Sequence, residues 1–271
     1  MKRNALIFTL LVILYGSLAS GSFAQNNFDG SDAESKLAKA NAIISKTVKL
    51  LGGEKYLNVK TTIGEGKFSQ LKDGVNVSFQ SFTDVIVNPD KERTDFIESG
   101  SKIVQVNTGE TGWIYEEYLE SFRDQDEKAI ANFKTVQRSG YDFLLRGNWK
   151  DDAQLSYEGR RQASLGKRND VLKLTFSDGF EVEYEFSDKG LPMKTLYKRF
   201  DAEKKEIVEE NRYARYISYQ GILTPTVIDH YTDGVQTYRV NFENVRYDQR
   251  IDEEIFVKPA DPKVLRKKLK L

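Results

Sequence analysis

The sequence predicts a mainly β protein of the α+β class: a single curved antiparallel sheet of about ten or eleven strands that curls toward a barrel, with helices against one of its faces. Three observations predict it. Strand-like alternation recurs through most of the chain between short turn signals. One segment near the middle, residues 124–149, changes to helical spacing. A sheet of so many strands is expected to curl rather than stay flat.

The first 24 residues have the layout of a secretory signal peptide. Two basic residues precede an apolar run, and small residues end at Ala24, which predicts cleavage after Ala24. The apolar run is too short to span a bilayer. We therefore expect an exported, periplasmic protein with a signal peptide at 1–24, one domain at 25–260 and a basic C-terminal tail at 261–271.

Composition narrows the class of function. The absence of cysteine excludes disulfides, thiol chemistry and a lipid-modified cysteine. The chain has 41 Lys and Arg residues and 41 Asp and Glu residues, and this balance argues against nucleic acid as a partner. Aromatic residues make up 12% of the chain. They can either fill a β core or line an apolar pocket.

A helix is predicted after the polar start of the mature chain. Ser31 or Asp32 can cap it, and Gly52-Gly53 can end it. Its apolar positions recur every three or four residues and are Leu37, Ala40, Ile44, Val48 and Leu51. One buried stripe follows, so we interpret this segment as a packing helix.

Strands follow between residues 61 and 118. Val75, Val77 and Phe79 keep one phase, which Phe82, Val85 and Val87 cannot all share, and this predicts a bulge near Ser81. The last two strands, within residues 102–118, form a hairpin with two-residue period.

The helical spacing of residues 124–149 breaks at Ser139-Gly140, which predicts two short amphipathic helices. Because strand patterns flank them, these helices must lie against a face of the sheet. They are either a plug on a core or a lid on a cavity.

A second set of strands runs from about residue 153 to residue 245 as an antiparallel meander. Apolar and acidic side chains alternate along residues 180–186, which predicts a strand with one solvent-exposed face. The tail at 263–271 is strongly basic and can be a solvated end or a contact with an anionic membrane surface or an acidic partner.

The sequence offers little catalytic chemistry. His230 is the only histidine and is interpreted as a sheet residue, because a zinc site needs further nitrogen or sulfur ligands. Adjacent carboxylates such as Glu116-Glu117 point apart on a strand. No cofactor, metal site or catalytic residue is predicted, although a carboxylate pair that meets only in the fold stays open as an enzyme hypothesis.

Several motifs resemble the periplasmic outer-membrane lipoprotein carriers, the LolA-like or outer membrane lipoprotein-sorting family. Residues 109–120 read GETGWIYEEYLE, similar to the second hairpin of those carriers. Pro89 and Arg93 resemble the strand just upstream, and residues 251–259 resemble the closing segment. Further similarity lies at Gly190-Leu191-Pro192, at 213–219 and at 221–225.

The resemblance implies an unclosed antiparallel barrel, LolA/LolB-like, with helices covering its concave face. Such a protein shields the acyl chains of lipoproteins or other lipids and has no catalytic activity. In the carriers, the arginine that matches Arg93 holds the helical lid; a surface salt bridge is the alternative here. The implied partners are acyl chains and, for a monomeric carrier, inner-membrane donor and outer-membrane acceptor proteins.

The predicted ligand-binding residues are the apolar side chains expected to face the cavity between the sheet and the lid. They are Phe79, Trp113, Tyr115, Phe133, Leu144, Phe180, Val182, Tyr184, Phe186, Tyr238, Val240 and Phe242. Alternatively, these side chains meet one another and leave no room. The alternative function is that of an envelope regulatory or structural protein, which would use the same scaffold to bind a protein partner.

Overall fold

The computed structural model describes residues 28–201 and 203–261, with side chains from residue 32. The predicted signal peptide and basic tail fall almost entirely outside these residues. The helices are α1 (Phe28–Leu51), α2 (Glu54–Leu57), α3 (Glu127–Ser139) and α4 (Tyr141–Arg146). The first six strands are β1 (Thr61–Lys72), β2 (Val75–Val87), β3 (Lys91–Glu98), β4 (Ser101–Thr108), β5 (Gly112–Glu116) and β6 (Ser121–Asp124). The others are β7 (Ala153–Ser164), β8 (Lys167–Phe176), β9 (Glu181–Phe186), β10 (Pro192–Phe200), β11 (Glu206–Tyr219), β12 (Ile222–Thr232) and β13 (Val235–Tyr247).

All thirteen strands form one antiparallel sheet in the order β6-β5-β4-β3-β2-β1-β13-β12-β11-β10-β9-β8-β7. Two meanders, β1–β6 and β7–β13, are joined by the pairing of the first strand with the last. The edge strands β6 and β7 do not pair, so the sheet is unclosed. The fold class is confirmed, with more strands than the ten or eleven predicted.

The helical insertion connects the two edges of this sheet. Because β6 and β7 lie at opposite ends of the strand order, the chain between them must cross the sheet. α3 and α4 make this crossing, and they are separated at Gly140, as predicted. Asp126 caps α3 by accepting a 2.8 Å hydrogen bond from the backbone N–H of Ala129.

The first helix packs on the second meander. α1 contacts β7 and β12, and Thr47, which is fully buried, donates a 2.8 Å hydrogen bond to the carbonyl oxygen of Gly190. The helix begins at Phe28, earlier than the predicted caps, and ends as predicted, where the N–H groups of Gly52 and Gly53 reach the carbonyl of Val48 at 3.2 and 2.8 Å.

Each face of the sheet carries one hydrophobic cluster. We call the face on which α1, α3 and α4 pack the helix face; its cluster includes Leu51, Leu144, Leu172, Tyr184 and Phe186. The opposite face is covered beside β2–β5 by a C-terminal strap, residues 251–256, and we call it the strap face. Its cluster consists of Val85, Val104, Val106, Trp113, Tyr115 and Phe256, with partly buried neighbours.

Candidate ligand-binding face

The part of the helix face that lies under the helices is filled by side chains. Leu144, Val182, Tyr184 and Phe186 are all 0% exposed and belong to one core cluster. Phe133 on α3 is also buried. Of the predicted binding residues, these five therefore serve as core packing in this structure, which is the alternative that the sequence had left open.

A second part of the helix face is apolar and incompletely buried. On β13, Tyr238, Val240 and Phe242 are half-buried, and their opposite partners on neighbouring strands extend the surface, because directly opposed residues of an antiparallel pair share a face. We call this surface the aromatic band. It comprises Phe68, Phe82, Phe96, Ile103, Tyr238, Val240 and Phe242.

Ring contacts connect the aromatic band across the strands. Phe68 on β1 lies 5.5 Å from Phe96 on β3 and 5.3 Å from Tyr238 on β13, measured between ring centroids. Phe82 and Phe242 meet edge to face at 5.4 Å. Within the described residues, the strands on which α1 and α3 mainly pack are β7, β10 and β12. The aromatic band lies mainly on β13, β1 and β2–β4, which are not among these strands.

Three of the predicted residues lie on the opposite face. Phe79 pairs with Ser69 on the strap face and is 56% exposed. Trp113 and Tyr115 are buried in the strap-face cluster, where Trp113 Nε1 donates a 3.0 Å hydrogen bond to the carbonyl of Phe256. Their expected position beside the helical lid is therefore corrected: the C-terminal strap covers them, because the alternation along β5 places both side chains on the face opposite the helices.

Arg93 also serves the strap rather than the helices. Its guanidinium forms a bidentate pair with Asp95, at 2.7 and 3.1 Å, and Nη1 donates a 3.0 Å hydrogen bond to the backbone carbonyl of Ile255. Both charged side chains are buried. The carbonyl that Arg93 binds therefore belongs to the strap and not to the predicted helical lid.

A groove opens where the end of α3 meets β9 and β10. Its volume is about 630 Å³, within the range of small-molecule sites. Apolar walls come from Phe180, Leu196, Tyr197 and Phe200, and Arg138 of α3 closes one side. The Arg138 guanidinium lies 4.7 Å from the ring of Phe180. Phe180 is thus the predicted residue that borders open space next to the helical segment.

Polar side chains interrupt the apolar helix face near the turns of the first meander. Asp84 on β2 accepts a 2.8 Å hydrogen bond from the hydroxyl of Thr94. Burial raises the pKa of Asp84 to about 6. Burial, and then the nearby charge of Asp84, raise the pKa of Glu92 to about 8. Two carboxyl groups therefore share a confined part of this surface.

The only histidine belongs to a polar network on the same face. His230 lies on β12, and its ring nitrogens contact Asn211 Oδ1 at 2.8 Å and Glu209 Oε2 at 3.0 Å. The His230 ring stacks on Tyr238 at 4.3 Å between centroids. Arg199 and Thr232 also bind the Glu209 carboxylate, so His230 is a satisfied sheet residue, in agreement with its interpretation from the sequence.

The sequence reasoning missed four of the seven residues of the aromatic band, namely Phe68, Phe82, Phe96 and Ile103. A usable signal was present in β1, where Gly64, Gly66 and Phe68 occupy alternate positions and so share one face. Two glycines in a central strand mark a place where another group approaches closely. Phe82 and Phe96 carry no such signal.

Within the part of the chain that the structure describes, no helix is long and apolar enough to cross a membrane. The same residues contain no group of three or more His, Cys, Asp or Glu side chains placed to hold a metal ion.

Comparison with known proteins identifies the type of fold. No protein-family model matches the chain, and no curated protein does so. Among solved structures, a LolA superfamily protein from Nitrosomonas europaea superposes with a TM-score of 0.51 at 13% identity, covering 81% of this chain and 97% of that one. MucB alone and MucB in complex with MucA(peri) also match at 13% identity, with TM-scores of 0.25 and 0.22, and the matches span 64% and 60% of those chains. The unclosed antiparallel sheet with helices on one face is therefore a LolA-like fold.

Proposed function

We propose that this protein is a non-enzymatic, exported carrier that shields the acyl chains of lipoproteins or other lipids on its helix face. The observation that carries the proposal is the aromatic band: rings in mutual contact across β13, β1, β2 and β3, all of which except Phe82 are only half-buried. Such a surface suits a ligand that is apolar along its length.

Energetics explain why a carrier needs such a surface. Exposing hydrocarbon to water costs about 0.8 kcal/mol per CH₂, so a chain of ~14 carbons left uncovered costs on the order of 10 kcal/mol. Rings that are only half-buried in the free protein gain further burial when an acyl chain covers them. Two of the contacts that hold α3 are ion pairs that solvent reaches, Lys134 to Glu110 at 2.7 Å and Arg138 to Asp178 at 2.8 Å, which suits a lid that moves.

The first test combines two measurements on the purified protein. Mass spectrometry of an organic extract, from material prepared without detergent, identifies any bound lipid. Thermal melts with neutral monoacylglycerols of several chain lengths should show a rise in Tm that grows with chain length, because a ligand that binds only the native state stabilises it. No co-purifying lipid and no change in Tm at any length would end the proposal.

A matched pair of variants locates the binding surface. Phe68 and Phe79 belong to the same β-hairpin but lie on the helix face and the strap face respectively. Phe68→Ala should weaken the affinity for a fluorescent acyl probe several-fold, since it removes the ring that joins Phe96 to Tyr238. Phe79→Ala should leave the affinity unchanged. Equal losses of probe affinity in both variants would show that the binding site is not on the aromatic band.

A second candidate function is the binding of a protein partner, and one observation favours it. The β1–β2 hairpin extends beyond β3, which pairs only with residues 81–87 of β2. At its tip, Val75, Val77 and Phe79 are 64, 60 and 56% exposed, and the outer edge of residues 75–80 has no strand partner among the described residues. Capture of a stoichiometric protein partner that is lost with Val77→Asp, and no lipid in the extract, would favour this function.

A further inference from the structure

A group of hydrogen-bond acceptors that are incompletely satisfied lies on the helix face near the β2–β3 and β4–β5 turns. Glu92 on β3 is directly opposite Asn107 on β4, and Asp84 on β2 lies diagonally across from Glu92. Opposed residues of an antiparallel pair project from the same face, so the three side chains share the helix face. We call them the acceptor group.

The acceptor group is incompletely satisfied. Asn107 is 3% exposed, and its buried Oδ1 atom has no hydrogen-bond partner among the described residues. Glu92 has no hydrogen bond or ion pair with any described residue. Asp84 accepts from the Thr94 hydroxyl, and no Lys or Arg of the described chain pairs with either carboxylate. A buried acceptor without a donor costs free energy, so the group is suited to a ligand that supplies donors.

The charge of the acceptor group determines which class of ligand it can bind. Burial raises the pKa of both carboxyl groups, to about 6 for Asp84 and about 8 for Glu92, because negative charge is unfavourable in this confined place. A carboxylate or phosphate would add to the unfavourable charge. A cation that donates hydrogen bonds would relieve it.

The surroundings favour an organic cation over a metal ion. The three side chains offer five oxygen atoms, one of which already accepts from Thr94, whereas Ca²⁺ takes six to eight oxygens. Ile86 is directly opposite Glu92 on the same face, and Phe82, two residues before Asp84, belongs to the aromatic band. α3 passes close by, since Lys134 reaches Glu110 and Gln137 reaches the carbonyl of Pro89.

We propose that the ligand of the helix face is an amphiphile whose polar end carries a protonated primary amine, held by Glu92, Asp84 and Asn107 while its hydrocarbon lies along the aromatic band. This inference rests on the proposed function and names the chemical class of the ligand. The ammonium group has three N–H donors, one for each member of the acceptor group.

Head-group specificity tests this inference with probes that share a twelve-carbon chain. Binding of dodecylamine, dodecanol, dodecanoate and dodecyltrimethylammonium is measured by displacement of a neutral fluorescent acyl probe. Dodecylamine should bind at least roughly tenfold more tightly than dodecanol, since hydrogen bonds to charged groups contribute about 1.5–3 kcal/mol. Dodecanoate should be the weakest. Dodecyltrimethylammonium, which has the charge but no N–H donor, should bind less tightly than dodecylamine.

Variants connect the preference to the acceptor group. Glu92→Gln and Asp84→Asn should each reduce the preference for dodecylamine over dodecanol several-fold. The control is Glu98→Gln, which removes a carboxylate from the other end of the same strand, where it binds Ser78 and Gln80. Ethylamine, which has no hydrocarbon tail, should not bind at the concentrations used.

Three other outcomes would contradict, respectively, the amine assignment, the need for a hydrocarbon tail and the carrier function. If dodecanol or dodecanoate binds as tightly as dodecylamine, or if Glu92→Gln keeps the full preference, the amine assignment is wrong and the carrier function stands. Equally tight binding of ethylamine would mean that the site is for free amines and not for amphiphiles. If none of the twelve-carbon probes binds, the carrier function fails, and this inference fails with it.

Discussion

Phe242 occupies the space that a side chain on Gly64 would need: a Cβ atom built on Gly64 would lie 2.6 Å from Cε1 of the Phe242 ring. The neighbouring Gly66 is tighter still, because its Cβ would lie 1.9 Å from the backbone carbonyl oxygen of Asn241. Between them the register of β1 and β13 shifts. The bulge therefore stands where the two meanders join, and it brings the Phe242 ring onto the aromatic band.

We predict that Gly64→Ala and Gly66→Ala both destabilise the protein, but to different degrees. The flexible ring of Phe242 can move aside for the methyl group added in Gly64→Ala, at a cost of about 1–3 kcal/mol, which is usual for overpacking. A backbone carbonyl cannot yield in the same way, so Gly66→Ala should cost more. Denaturant unfolding measures both, with Gly140→Ala as the control, since its Cβ would meet only ordinary contacts.

The Gly64 prediction can be checked further with Phe242→Leu. If the loss in Gly64→Ala comes from the ring, the double variant should be less destabilised than the sum of the two single variants. Additive losses would mean that the ring is not the cause.

We predict that Arg93→Ala loosens the C-terminal strap. The variant removes the hydrogen bond to the Ile255 carbonyl and leaves the Asp95 carboxylate with only Lys102, at 3.1 Å. Breaking a buried ion pair costs about 3–5 kcal/mol. Denaturant unfolding should show that loss, and limited proteolysis should cut sooner within residues 250–261.

The matched control for this prediction is Lys91→Ala. Lys91 pairs with Glu253 of the same strap, but both side chains are exposed, so the expected loss is about 1 kcal/mol or less. Cleavage in the strap at the same rate in Arg93→Ala as in the unchanged protein would contradict the role assigned to Arg93.

Local periodicity predicted much of the fold, because turn signals and two-residue alternation are properties of the strands themselves. Gly140 separates the two helices of the insertion, and residues 180–186 place Val182, Tyr184 and Phe186 on one face, both as predicted. The glutamates that alternate with these residues are not all exposed to solvent, however. Glu185 is buried, because Asn169, Arg161 and Lys194 surround it.

The division of the apolar residues between two faces could not be predicted in the same way. Phe82 faces the helices, and Val85 faces the strap, so their conflict of phase reflects two covered faces and not a bulge near Ser81. The register shift in β2 lies nearer the hairpin tip, opposite Gln70 and Leu71. The strap itself pairs residues far apart in the chain, such as Arg93 and Ile255, which are 162 positions apart. Local patterns contain no information about such distant contacts.

We predict that Glu92→Gln stabilises the protein above neutral pH. The pKa of Glu92 is raised from 4.5 to about 8, mainly by burial, so the native protein binds its proton more tightly than the unfolded chain does. The stabilisation linked to this proton is complete below pH 4.5 and is lost as the pH rises through about 8. The uncharged amide of the variant avoids that loss. The Tm of the variant minus that of the unchanged protein should therefore increase between about pH 5 and about pH 9.

Glu98→Gln is the control for the pH series, because the hydrogen bonds of Glu98 with Gln80 and Ser78 lower its pKa. Its difference in Tm should not increase over the same pH range. A difference for Glu92→Gln that stays constant over this range would show that Glu92 ionises normally in the native protein.

We predict that Asp178→Ala speeds the release of an acyl probe and changes stability little. Asp178 binds the guanidinium of Arg138 at 2.8 Å, and this contact, which lowers the pKa of Asp178, ties the end of α3 to the β8–β9 turn. An exposed pair contributes about 1 kcal/mol or less to folding, but it directly opposes movement of α3 away from the sheet. Stopped-flow measurement of probe dissociation should show a several-fold faster rate, and added salt should have a similar effect on the unchanged protein.

The control is Asp32→Ala, which breaks the exposed pair with Lys36 on α1 and should leave the rate unchanged. Equal rates for Asp178→Ala and the unchanged protein would mean that α3 does not gate the ligand.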